Sequence, residues 1–172
     1  MGSMLRLVSL AFACALWVTS VAGESSRPLV GHIMALLAVF EEADVLPPET
    51  SPEANALIHA LIQTQAALTK GTNPATRGWF AEALRRSEPH GAEPDPREGL
   101  TSRALEAIVT YTETHPPTAR PDVMAGFQEF NVSPADLDLM ARTYRQARDR
   151  FRSTGRNIHR IYEAQRRAMP LR

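Results

Sequence analysis

The chain has 172 residues, 44% of them hydrophobic and only 6% aromatic, with nineteen basic side chains balanced by nineteen acidic ones. That length suits one small domain, and that hydrophobic content excludes disorder along the whole chain. Abundant Ala, Leu and Arg favour helices, and few runs of β-branched residues remain for strands. Lys70 is the sole lysine beside eighteen arginines, a skew that a GC-rich genome explains as well as function does.

Residues 1–23 read as a cleaved export signal. Arg6 supplies the positive start, "LVSLAFACALWV" the apolar core, and "TSVAG" the small residues for cleavage. The apolar run falls short of the roughly 20 residues a membrane span needs. Cys14, the only cysteine, lies inside this segment, so the expected mature chain 24–172 has no thiol, no disulfide and no attached haem. Export without cysteines points to a bacterial periplasm or outer surface.

The mature sequence is punctuated by capping residues followed by proline. "SSRPLVGHIMALLAVFEEAD" predicts a first helix, with Pro28 in its first turn and an apolar stripe of Leu29, Ile33, Leu36, Leu37 and Phe40. "LPPET" ends it. Ser51 and Pro52 open a second helix carrying Leu57, Ile58, Leu61 and Leu68 on one face, closed by Lys70 and Gly71. Asn73 and Pro74 open a third, anchored by Trp79, Phe80 and Leu84. "EPHGAEPDPREG" predicts a surface loop.

Thr101 is expected to cap "SRALEAIVTYTETH", and after "HPPTARP" a short helix carries Val123, Phe127 and Phe130. Ser133 and Pro134 then open the last helix, expected over 133–169. Its apolar positions from Leu137 and Met140 to Ile161 and Ala168 alternate three and four apart, a coiled-coil-like seam. Unbroken, such a helix reaches roughly 50 Å; Ser153-Thr154-Gly155 is where a kink would fall. The expected architecture is an all-α, irregular bundle of about six helices in a single domain, with a long C-terminal helix.

Charge is polarised along the chain. From Arg142 onward ten arginines stand against Asp149 and Glu163, a net +8, whereas residues 24–141 carry −9. The expectation is therefore an exported, non-enzymatic binding or accessory protein whose basic terminal helix contacts a protein or an anionic lipid or envelope polymer, or self-associates. Tyr144, Phe151, Ile158, Ile161 and Tyr162 are its expected apolar anchors. Arg145, Arg148, Arg152, Arg156 and Arg160 are its expected steering charges. Nucleic acid does not fit the export signal, and no groove-reading motif is present.

No catalytic, cofactor or metal motif is found. Histidines 32, 59, 90, 115 and 159 lack ligand spacing, and "EEAD" and "EPDPRE" read as solvated carboxylates. No serine lies in a nucleophile-elbow sequence. "FQEFNVSPADLDLM" lacks the glycine and final glutamate of a calcium loop. Trp79 and Phe80 read as core anchors. The alternative is a small-ligand or metal-binding bundle whose polar or aromatic groups converge only in three dimensions; a buried pocket bringing two or more histidines together would favour it.

Overall fold

A computed structural model of the chain describes residues 27–87 and 95–169. The expected signal segment, Cys14, His90 and most of the proline-rich loop lie outside the described residues. Seven α-helices follow one another: α1 (Arg27–Glu42), α2 (Pro52–Lys70), α3 (Pro74–Arg86), α4 (Ser102–Thr114), α5 (Pro121–Gln128), α6 (Pro134–Ser153) and α7 (Ile158–Ala168). Short 3-10 turns at Pro96–Glu98 and Pro117–Ala119 precede α4 and α5. The fold is an all-α bundle, with no strand among the described residues. No described helix is long and apolar enough to cross a membrane.

Capping chemistry fixes the helix starts. Ser51, Asn73, Thr101 and Ser133 each accept a first-turn N–H through the side chain. Asp136 returns a carboxylate oxygen to the Ser133 amide at 2.7 Å, completing a reciprocal cap.

The greasiest helix is the central one. Ile33 and every residue from Ala35 to Phe40 are buried, so α1 hides nearly its whole circumference rather than a single stripe. It lies against α7 and α6. The α2 helix packs on α6, and α3 packs on both α4 and α5. Trp79 and Phe80 are buried, as expected of core anchors; the Trp79 indole N–H also donates to the His115 carbonyl at 3.0 Å.

The terminal helix departs from expectation. Instead of one rod over 133–169, the chain stops at Ser153 and restarts at Ile158. Gly155, at φ +69°, donates to the Arg152 carbonyl at 3.1 Å, and the Arg156 amide donates to Phe151 at 2.8 Å. This pair of bonds around a left-handed glycine is a Schellman closure. The Asn157 side chain then caps α7 through the His159 and Arg160 amides. The turn lays α7 back onto α1, so the seam expected to seek an outside partner is covered by its own chain.

Candidate functional site

Fold-back of α7 creates a pocket of about 450 Å³ between α7, α1 and the start of α4. Three elements far apart in sequence supply it. Capping by Thr101 sets where α4 begins and places Ser102 in its first turn. Capping by Asn157 does the same for α7, whose early turns bring His159, Tyr162 and Arg166 to the same pocket. His32 comes from the N-terminal half of α1.

Two hydrogen-bonded pairs form the walls. His32 Nδ1 lies 2.5 Å from the Tyr162 hydroxyl, with the two rings nearly parallel. Burial first, and the neighbouring Arg166 guanidinium second, lower the His32 pKa to about 4. Burial likewise raises the Tyr162 pKa well above the usual phenol value. The imidazole is therefore neutral and the phenol protonated at neutral pH, and the two share a hydrogen bond between uncharged groups.

On the other side, Ser102 Oγ lies 2.9 Å from His159 Nδ1, and His159 Nε2 lies 2.5 Å from Glu106 Oε2. The bond from His159 holds the Glu106 carboxyl below its ordinary range despite burial, with Arg148 and Arg152 adding to the effect. An ionised Glu106 can only accept. Nε2 must then carry a proton, so in the neutral tautomer Nδ1 is the acceptor for the Ser102 hydroxyl. Behind Ser102 lies the buried Tyr144 hydroxyl; burial raises its pKa, and a hydrogen bond with Ser102 opposes the rise.

Exposure sorts the lining groups. Ser102 and Tyr162 are buried, and His32, His159 and Arg166 are half-buried, whereas Glu98, Arg103 and Glu163 are exposed at the rim. Asp95 is held by Arg97 at 2.9 Å. The interior is thus cationic or neutral, and the rim mixed. One inner nitrogen stands out: Arg166 Nη1 is buried and has no hydrogen-bond partner. Among the described residues, no three His, Cys, Asp or Glu side chains gather into a metal-ligating group.

The residues expected to meet a partner are distributed otherwise. Tyr144, Phe151, Ile158, Ile161 and Tyr162 all belong to the core. Arg156 bonds Glu42 of α1, which also accepts from Gln165 at 2.9 Å. Arg145 lies 3.8 Å from Glu113, and Arg148 lies 3.5 Å from Asp149. Arg152 and Arg160 are exposed. His59 is half-buried on α2, and His115 stacks on Tyr111, both away from the pocket. Ser102, Glu106, His32 and Arg166 carried no signal along the sequence, because their relation spans up to 134 positions and no local spacing encodes it.

No family model, curated protein or solved structure matches the chain.

Proposed function

We propose that the protein is an exported helical binding module that takes a small carboxylate-bearing ligand into the pocket between α1, α4 and α7. One observation carries this reading: the Arg166 guanidinium lines a pocket uniting two histidines, with Nη1 buried and unbonded. A buried charged donor left without an acceptor costs about 1–3 kcal/mol or more. A carboxylate satisfies it through two parallel N–H···O bonds, the geometry guanidinium favours. A neutral His32 and the first-turn amides of α4 suit the same anion, and the volume fits a small molecule.

The test is an NMR titration of the full chain with sodium acetate, using sodium chloride as the ionic control. Saturable shifts at Ser102, His32 and Tyr162 are expected, weakened about tenfold or more in Arg166→Gln. Shifts equal to those of chloride, or unchanged by Arg166→Gln, overturn it. Export itself rests on the apolar leader, and an N-terminus at or near residue 24 in the mature product is the expected result.

A second reading keeps the C-terminal arginines as a contact surface for an anionic envelope component. It is favoured by the net +8 from Arg142 onward and by the exposure of Arg152, Arg160 and Arg167. It no longer includes the five apolar anchors.

A further inference from the structure

We infer that Ser102, His159 and Glu106 form a nucleophilic relay that hydrolyses short-acyl carboxylic esters within this pocket, an inference that rests on the pocket being a ligand site. The three groups come from two helices, fifty-seven and fifty-three positions apart along the chain. They meet in one continuous line of hydrogen bonds: hydroxyl to imidazole at 2.9 Å, and imidazole to carboxylate at 2.5 Å.

The line of bonds is the one the chemistry needs. An ionised Glu106 requires a proton on Nε2, so in the neutral imidazole Nδ1 is the atom that takes the proton from Ser102 Oγ. Ser102 is the first residue of α4, where the N–H groups of Ser102 and Arg103 precede the helix's own bonding, which starts from Leu105 to Thr101. These amides, at the positive end of the helix, are the donors the scheme assigns to the oxyanion. The Ser102 hydroxyl also borders the buried Tyr144 hydroxyl and opposes the rise in its pKa that burial causes.

The step balances with water as co-reactant. Oγ attacks the acyl carbon while its proton passes to Nδ1. The oxyanion collapses, the carbon–oxygen bond to the leaving alcohol breaks, and Nδ1 returns the proton to that alcohol. Water then adds to the acyl-serine, giving its proton to Nδ1, and collapse releases the carboxylic acid as Oγ recovers the proton. Ser102 is only 1% exposed, so attack is confined to acyl groups small enough to reach it through the pocket wall. Acetyl is the natural size, and Arg166 is placed to hold an anionic end of the ester or of the product acid. His159 and Ser102 are catalytic residues in this scheme. Glu106, which touches only the imidazole, is a positioning residue.

The full chain is treated with methanesulfonyl fluoride, a serine-reactive reagent of about acetyl size, then weighed intact, and its hydrolysis of p-nitrophenyl acetate is followed in parallel. One adduct per chain at Ser102 is expected, absent from Ser102→Ala, with ester hydrolysis lowered about 100-fold in His159→Gln. Glu106→Gln is expected to lower kcat with KM unchanged, a split that general loosening of the fold would not give. Ser102→Ala removes one hydroxyl and no cap, so a folded variant is available even if the histidine change disrupts packing. A folded wild type that gains no adduct at Ser102, or hydrolyses ester no faster than Ser102→Ala, overturns the relay. Acetate titration of the same samples separates the two ideas: saturable binding without labelling removes only the relay, and loss of both removes the ligand site as well.

Discussion

At position 32 an imidazole shares a hydrogen bond with the Tyr162 hydroxyl and stands beside the Arg166 guanidinium. Burial and that neighbour lower its pKa to about 4, against 6.5 in the unfolded chain. Between those two values the unfolded chain binds more protons than the folded one, so stability falls as pH drops from about 6.5 towards 4. His32 is only half-buried, so the loss is discounted to about 1–2 kcal/mol. Urea midpoints at pH 7 and pH 4.8 check the sign: the acid value should be lower, and His32→Gln should flatten the difference. Glu106 acts in a lower window. Its depressed pKa adds stability that disappears only as pH falls below the ordinary carboxylate range. The sequence showed His32 and His159 as two histidines without ligand spacing, and nothing local revealed their convergence. Hydroxyl and carboxylate partners at long range have no periodic signature.

Helix beginnings, by contrast, were legible because capping is local. Ser51, Asn73, Thr101 and Ser133 each act within three residues of themselves, so reading along the chain was enough. The terminal helix breaks at the Ser153-Thr154-Gly155 segment where a kink was expected, but it reverses there instead of bending. The spacing of three and four continues through Phe151, Thr154 and Ile158 with only the polar threonine interrupting it, so periodicity alone runs straight across the break. Decisive were the stop at Gly155 and the restart at Asn157, two cues of the same local kind as the caps. The break itself is testable. Gly155→Ala meets no neighbour, yet forces an L side chain to φ +69°, and should cost about 1 kcal/mol. Asn157→Ala removes the acceptor for two amides and should also cost about 1 kcal/mol. Thermal unfolding of the two single variants and the double measures whether the turn acts as one unit. A sum smaller than the separate effects is expected, since both residues serve the same reversal.

Across the whole molecule, the acidic body and basic tail are folded against each other. Arg150 reaches Asp44 at 3.2 Å, Arg156 bonds Glu42, and Arg145 lies near Glu113. These pairs are largely exposed and contribute about 0–1 kcal/mol each, so apolar contacts hold α7 in place. Ile158, Ile161 and Tyr162 are each buried against the bundle. Removing them forfeits about 1.5–3 kcal/mol apiece, a large share of the roughly 5–15 kcal/mol that holds a domain folded. Deleting residues 153–172 should therefore abolish cooperative unfolding by circular dichroism, and loss of any binding in that variant would say nothing about surface charge. Exposed arginines must be neutralised in place instead. The triple variant Arg152→Gln, Arg160→Gln, Arg167→Gln leaves the core intact and removes three positive charges from the face turned to solvent. If that face recruits an anionic envelope surface, co-sedimentation with phosphatidylglycerol vesicles at low salt should fall by at least about tenfold, at about 1 kcal/mol for each basic side chain near the surface. Retention equal to wild type, in a chain that still unfolds cooperatively, would assign these arginines to solvation and leave the pocket as the molecule's contact with its surroundings.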